Sequence, residues 1–354
     1  MRPTLLAMAA LTALTSPLTA QTPPATAALA PSEIVAAAST SDWVAIDPAD
    51  LLVMDLAPDA RGRARRVIIQ LMPPPLSQGW IGNIRTLAAA HWWDGTSINR
   101  VQDNYVVQWG DATEAKPLPE GLRVVPESEY ELPLMGLMTE QDITLRLQPV
   151  IDRPRIEVIV VDGDHGPSRL YQHREYAIEN PGNKESGFSG GFSVGFEFVD
   201  SPPDVSKIAR EVGSIWPMHC YGMVGVGRNL SPDTGTGAEL YTVIGHAPRH
   251  LDRNIALVGR VIEGIEHLSS LPRGTEALGF YATAEERVPI VSVRIATDLP
   301  AAEQPRFHYL STESATFARY ADARANRRDP FFNVPAGGAD ICNIPVPVRR
   351  VPQG

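Results

Sequence analysis

Short apolar runs recur along this chain at the spacing expected for β-strands. Residues 51–56 and 66–72 are two such runs, and the turn at residues 59–63 separates them, which predicts a hairpin. Residues 97–102 alternate with a period of two, and the β-prone run 105–108 follows after a short polar break. The pattern therefore predicts a second pair of strands.

Other stretches complete the predicted secondary structure. Between residues 80 and 92, apolar side chains recur at helical spacing, and Ser77 stands in front of them as a candidate N-cap. Residues 312–327 have the same helical character, and Pro330 terminates them. Residues 288–295 form one further predicted strand.

The composition is that of an ordinary globular protein. The 354 residues are 44% hydrophobic and 20% charged, which is enough chain for one large domain or two small ones. The net charge of -10 and the pI near 5.3 argue against nucleic acid or an anionic membrane surface as a partner. We therefore expect no nucleic-acid partner, and the sequence gives no prediction of oligomeric state.

The N-terminus has the organisation of a secretory signal peptide over residues 1–20. Arg2 supplies the positive charge, residues 5–14 are apolar, and small Ala20 marks the expected cleavage point. The alternative is a buried N-terminal helix. We predict export to the periplasm, with no membrane association after cleavage, and a disordered linker over residues 21–40, which are rich in Thr, Pro, Ala and Ser.

The chain has two cysteines, Cys220 and Cys342. In an oxidising compartment an isolated pair favours one disulfide, which would tie the C-terminal tail to the main body. The alternative is two buried free thiols.

No cofactor motif is visible. The histidines and carboxylates between residues 239 and 267 fit no metal-ligand spacing. The glycine-rich residues 222–227 lack the Gly-Lys-Ser/Thr of a phosphate-binding loop. We expect neither a metal nor another cofactor.

The stretch from residue 93 to residue 111 carries the clearest chemical signal. It places Arg100 on a predicted strand, and an arginine on an apolar sheet face needs a partner or a function. The stretch resembles the signature of the cyclophilin family of peptidyl-prolyl isomerases. The residues that fall in register with that signature are Trp93, Gly95, Thr96, Ile98, Asn99, Arg100, Val101, Tyr105, Val106, Gln108, Gly110 and Asp111.

Further segments resemble family motifs in the family's order. They lie at residues 63–71, 83–87, 125–130, 219–227, 235–242, 250–252 and 257–264. The resemblance implies a mainly β fold, a closed antiparallel eight-stranded barrel capped by helices. It places a cyclophilin-like domain at residues 41–298 and a C-terminal helical extension and tail at residues 299–354.

The resemblance also implies an insertion at about residues 134–217, which small cyclophilins lack. Within it we predict strands at residues 143–150 and 155–161 and a short helix at residues 204–212. Residues 180–195 are rich in Gly, Ser and Asn, which predicts a flexible loop.

The resemblance assigns catalysis to Arg100, whose fixed N–H donors suit the pyramidal nitrogen of a twisted X-Pro amide. The alternative is an arginine in a surface ion pair, and ordinary core packing is the alternative for the apolar matches. Asn99 replaces the family's histidine, and Glu239 and Tyr241 replace a glutamine and a phenylalanine. The residues matched to substrate binding are Tyr105, Val106, Gln108, Gly227, Glu239, Tyr241, His250 and Leu251.

The resemblance thus implies a peptidyl-prolyl cis-trans isomerase that assists the folding of exported proteins, with proline-containing polypeptides as its partners. The alternative is a cyclophilin-like peptide-binding module or chaperone with little or no isomerase activity. The retained Arg100 and Gln108 favour the enzyme. Three residues that depart from the family's residues favour the binding module, namely Glu239, Leu240 and Ile255.

Overall fold

The computed structural model describes residues 28–133, 145–150, 153–162, 166–172, 184–200 and 210–352. Strands dominate the secondary structure of these residues. In chain order the strands are β1 (Trp43–Ala45), β2 (Leu51–Leu56), β3 (Arg65–Leu71), β4 (Ser97–Val101), β5 (Val106–Gly110), β6 (Leu132–Pro133), β7 (Leu145–Val150), β8 (Arg153–Asp162), β9 (Gly166–Gln172), β10 (Lys184–Ser189), β11 (Phe192–Asp200), β12 (Arg210–Pro217), β13 (Met223–Val226), β14 (Leu240–Val243), β15 (Leu257–Glu263), β16 (Val288–Ile295), β17 (Phe307–Leu310) and β18 (Val348–Arg350).

Four α-helices accompany these strands in the described part of the chain. They are α1 (Pro31–Ala36), α2 (Gln78–Ala89), α3 (Glu266–Ser269) and α4 (Ala315–Ala325). None of these helices combines the length and the apolar character that a bilayer crossing requires.

Eight of the strands close into a barrel, in the order β13-β14-β5-β4-β16-β2-β3-β15. Every neighbouring pair in it is antiparallel. Closure gives each of these strands a hydrogen-bonded neighbour on both sides. The mainly β fold with a closed eight-stranded barrel is confirmed.

The first four residues of strand β2, Leu51–Met54, are all apolar because both faces of the strand are covered there. Leu52 and Met54 point into the main core, while Leu51 and Val53 belong to a second buried cluster on the other face. Phe307 of the C-terminal segment covers that second face. A strand that is covered on both faces has no solvent-facing positions to make polar.

Helix α2 closes one end of the barrel with its apolar face. Trp80, Ile84 and Leu87 are completely buried in the main core. The indole N–H of Trp93, just beyond the helix, donates to the Ala238 carbonyl oxygen at 2.8 Å. Ser77 does occupy the N-cap position, but its backbone is left-handed and its side chain makes no capping hydrogen bond.

The inserted segment forms a second sheet of seven strands, in the order β6-β12-β11-β10-β9-β8-β7. The prediction of a flexible loop over residues 180–195 is wrong in its described part, residues 184–195, because β10 and β11 form a tight hairpin there. Gly190 and Gly191 have φ of 54° and 84°, the left-handed values that a two-residue hairpin turn requires. Phe192, Val194 and Phe196 then alternate into the main core. The predicted helix at 204–212 is also wrong where it is described, since residues 210–212 belong to β12.

The sequence suggested a helical C-terminal extension and tail, but this segment also contains strands. Strands β17 and β18 form a three-stranded sheet with the N-terminal strand β1. The expectation of a disordered linker up to residue 40 is corrected in its described part, which contains α1. Ile34 of α1 is only 8% exposed because the helix packs on α4. The predicted signal peptide lies outside the described residues.

A disulfide joins Cys220 and Cys342 across 122 residues. Cys220 lies just before β13 of the barrel, and Cys342 lies in the C-terminal tail. The covalent link therefore fastens the tail to the barrel, beside the start of the strand that leads to Gly227.

Candidate active site

A pocket of about 620 Å³ opens on the side of the barrel. Strands β4, β5, β13 and β14 supply one wall. Loops complete the lining, chiefly those at residues 111–118, 227–239, 251–255 and 278–281. The lining of the pocket includes Asn99, Arg100, Tyr105, Val106, Gln108, Gly227, Glu239, Tyr241, Leu251, Ile255, Leu278 and Phe280.

Arg100 is held by three acceptors in this pocket. Its Nε donates to the Leu278 carbonyl oxygen at 2.7 Å, and its Nη1 donates to Gln108 Oε1 at 3.1 Å. Its Nη2 donates to the side-chain oxygen of Gln102. A guanidinium has five N–H donors, so these hydrogen bonds to described residues leave two donors for a ligand.

The guanidinium of Arg100 also lies between two aromatic rings. Its Cζ is 5.8 Å from the ring centre of Tyr105 and 5.4 Å from that of Phe280. All its acceptors are neutral, and burial lowers the pKa of Arg100 from its usual value. The pocket therefore contains a partly desolvated positive charge, and no described carboxylate lies within ion-pair distance of it.

Gln108 connects Arg100 to an unusual carboxyl group. Its Oε1 accepts from Arg100, while its Nε2 donates to Glu239 Oε2 at 3.5 Å. Burial raises the pKa of Glu239, although hydrogen bonds from the Gln108 and Asn99 side chains oppose that rise. The pocket thus pairs a fixed cation with an acid whose charge changes at a higher pH than usual.

Tyr241 forms part of the pocket and anchors its hydroxyl in the protein interior. The hydroxyl lies 2.8 Å from Nε2 of His219, and Nδ1 of His219 lies 2.8 Å from Asp252 Oδ1. Because a carboxylate only accepts, Nδ1 carries the proton and Nε2 accepts from Tyr241. Burial lowers the pKa of His219 and raises that of Tyr241 well above its usual value, which keeps both side chains neutral.

This buried chain of hydrogen bonds continues toward the surface. Arg249 Nε donates to Asp252 Oδ2 at 2.6 Å, and Arg249 Nη1 lies 3.7 Å from Asp340 Oδ2 in the C-terminal tail. His219 itself precedes the disulfide residue Cys220. The C-terminal segment is therefore physically connected to the wall of the pocket.

The structure brings most of the sequence-predicted site residues together. The pocket is lined by Arg100, Tyr105, Val106, Gln108, Gly227, Glu239, Tyr241 and Leu251. His250 is different, because it is exposed and does not line the pocket. The short 3-10 turn Arg249–Leu251 places Leu251 rather than His250 at the pocket. The ring of His250 stacks on Tyr105 with 6.4 Å between ring centres.

Sequence reasoning missed two contributors to the pocket. The loop with Leu278 and Phe280 reaches Arg100 across 178 residues, and its apolar side chains carry no motif. Leu278 adopts a left-handed φ of 58°, which is uncommon for such a residue and fixes the local course of the backbone. The hydrogen-bond partner His219 was also missed, although the tyrosine at position 241 introduced a buried hydroxyl that needed one.

Within the described ranges, no group of three or more His, Cys, Asp or Glu side chains is placed to hold a metal ion.

Comparison with known proteins identifies the family and the fold of this chain. The sequence model of the family described as "Cyclophilin type peptidyl-prolyl cis-trans isomerase/CLD" matches residues 80–296. The crystal structure of cyclophilin AquaCyp293 from Hirschia baltica aligns with a TM-score of 0.58 and 21% identity, over 87% of this chain and 93% of that chain. At this identity the likeness shows the fold.

A second solved structure shows a weaker likeness. It is a Cryptosporidium parvum cyclophilin type peptidyl-prolyl cis-trans isomerase in the presence of the dipeptide Ala-Pro. It aligns with 10% identity and a TM-score of 0.33, over 69% of this chain and 98% of that chain. No curated protein shows a significant match to this sequence.

Proposed function

This chain belongs to the cyclophilin-type peptidyl-prolyl cis-trans isomerase family and is a peptidyl-prolyl isomerase, and from that premise we propose that Arg100 is its electrostatic catalyst. The observation that carries this proposal is the position of Arg100. Neutral acceptors and two aromatic rings hold its guanidinium in place, and two of its N–H donors remain available.

The chemistry requires no covalent step. Rotation about an X-Pro bond breaks amide resonance and meets a barrier of roughly 18–20 kcal/mol. In the twisted transition state the prolyl nitrogen becomes pyramidal and accepts a hydrogen bond, which the planar amide nitrogen does not. A donor fixed at that position therefore stabilises the transition state more than the ground state.

The remaining pocket residues suit a proline-containing peptide. Val106, Leu251 and Ile255 provide apolar surface for the proline ring, and the Tyr241 ring adjoins Val106 in the same buried cluster. Gln108 orients Arg100 and offers a side-chain amide within the same pocket. An apolar socket also excludes water that would compete for the donors of Arg100.

We further propose that the substrates are exported proteins and that the enzyme works in the periplasm. The organisation of residues 1–20 supports this assignment, as does a disulfide, because disulfides persist in oxidising compartments. N-terminal sequencing of the mature protein from a periplasmic fraction should begin at Gln21. Recovery of the protein only in the cytoplasm, with residues 1–20 retained, would overturn this part of the proposal.

Assistance to folding is tested with a protein whose refolding is limited by X-Pro isomerisation. Catalytic amounts of the enzyme should accelerate the slow refolding phase and leave the fast phases unchanged. The Arg100→Ala variant should lose this acceleration. If that variant accelerates refolding as well as the wild type does, the chain acts as a chaperone-like binding module rather than through the catalyst proposed here.

A further inference from the structure

A second pocket lies away from the isomerase pocket and shares none of its lining residues. It measures about 260 Å³ and lies where three parts of the chain meet. Phe192 and Ser193 come from the hairpin of the inserted sheet, Tyr221 and Arg260 come from the barrel side, and the stretch from Cys342 to Val348 comes from the tail.

Among the described residues that line this second pocket, Arg260 is the only one with a charged side chain. Its Nε and Nη2 both donate to one acceptor, Oε1 of the buried Gln70, at 3.0 and 2.8 Å. Its Cζ lies 4.8 Å from the ring centre of Phe192. Among the described residues no carboxylate lies within ion-pair distance of it, and burial lowers the pKa of Arg260 to about 10.

The third guanidinium nitrogen of Arg260 has donors to spare. Nη1 makes no hydrogen bond to a described residue, and the protein does not enclose it completely. It therefore retains access to the pocket. Buried charges in proteins are normally paired, because burial of a lone charge is costly. The site has one positive charge whose counter-charge is not supplied by the described protein.

The rest of the lining decides what kind of anion fits. Phe192, Met223, Val261, Ile262, Val346 and Val348 present apolar surface, and the disulfide forms part of the wall. Ser193 adds a hydroxyl donor. Tyr221 is 51% exposed, so the pocket has an open side there. A fully hydrated inorganic anion would leave most of this apolar wall without a contact.

We propose that this pocket binds a small organic carboxylate with an apolar body. The carboxylate accepts from Arg260, and the apolar body contacts the lining residues of the hairpin and the tail. A planar guanidinium binds carboxylates well because its donors match the two oxygens. The volume of about 260 Å³ is small for a ligand pocket and therefore limits the ligand to a small molecule.

Isothermal titration calorimetry with phenylacetate tests this proposal directly. The wild type should bind one equivalent saturably. Phenylacetamide, which has the same shape without the charge, should bind at least tenfold more weakly. Inorganic phosphate should also bind at least tenfold more weakly, because it makes no use of the apolar wall.

Two variants locate the binding. Arg260→Gln should weaken phenylacetate binding at least tenfold. Arg100→Ala is the matched control, since it removes the partly buried arginine of the isomerase pocket and should leave phenylacetate affinity unchanged. Circular dichroism verifies that each variant is folded, and if Arg260→Gln does not fold, the comparison of acid and amide on the wild type decides.

Several results would overturn the proposal. They are an absence of saturable phenylacetate binding, equal affinity for phenylacetamide or phosphate, equal affinity in Arg260→Gln, and loss of binding in Arg100→Ala, which would place the ligand in the isomerase pocket.

Discussion

Removal of the Tyr241 hydroxyl tests whether the buried hydrogen bonds behind the Arg100 pocket stabilise the fold. Tyr241→Phe removes one oxygen and retains the ring that lines the pocket. The hydroxyl lies 2.8 Å from His219 Nε2, and both side chains are almost completely buried. The substitution leaves the His219 nitrogen without its donor, and an unsatisfied buried polar group costs about 1–3 kcal/mol.

The chain supplies a matched control in Tyr130. This residue is also buried and stacks on Trp80 with 5.5 Å between ring centres, but its hydroxyl is buried without a partner among the described residues. Tyr130→Phe should therefore be neutral or stabilising. The two substitutions remove the same atom from the same kind of side chain and differ in whether a partner is lost.

Urea unfolding measures both effects as changes in the free energy of unfolding. Tyr241→Phe should lose about 1–3 kcal/mol relative to Tyr130→Phe. Isomerase activity of Tyr241→Phe should stay within about twofold of the wild type, because the ring still lines the pocket. Equal stability of the two variants would refute the inference that the Tyr241–His219 hydrogen bond contributes to the fold.

Three further predictions follow from the same structure. Burial lowers the pKa of His219 below its ordinary 6.5, so the unfolded chain binds a proton there that the folded chain does not. The free energy of unfolding should therefore decline below pH 6.5, by up to about 1.4 kcal/mol per pH unit. Urea unfolding of His219→Gln should lack this pH dependence. The raised pKa of Glu239 means that its carboxyl ionises above 4.5, and the new negative charge weakens the positive field of Arg100. The isomerase activity of the wild type should therefore fall as pH rises through that pKa. The dependence of kcat/KM on pH should be flatter for Glu239→Gln. Cys342→Ser opens a loop of 122 residues and should cost about 2–5 kcal/mol in urea unfolding, a loss that a reducing agent should reproduce in the wild type and not in the variant.

The closed barrel was implied by the family resemblance, whereas local patterns located only some of its strands. Residues 51–56 and 288–295 were predicted with the bounds that β2 and β16 have. The register of the stretch from residue 93 to 111 placed Arg100, Tyr105 and Gln108 on adjacent strands, and the structure brings them to one pocket. These features depend on neighbours in sequence, which a single sequence reports well.

The elements that were missed depend on contacts between distant parts of the chain. The Gly-rich composition of residues 180–195 obscured a hairpin whose alternating Phe192, Val194 and Phe196 are buried in one core with residues from distant parts of the chain. Helix α1 is only six residues long, and its contact with α4 accounts for the burial of Ile34. The loop that supplies Leu278 contacts Arg100 from 178 residues away in the sequence.

Exchange NMR of a short X-Pro peptide measures the contribution of Arg100 to isomerisation directly. Wild type, Arg100→Ala and Arg100→Lys are compared with Arg61→Ala, whose arginine lies in the exposed turn at residues 59–63. Both Arg100 variants should lose at least about tenfold in kcat/KM, equivalent to about 1.4 kcal/mol of transition-state stabilisation, while Arg61→Ala matches the wild type. Undiminished isomerisation by a folded Arg100→Ala variant would contradict the claim that this guanidinium is the catalyst.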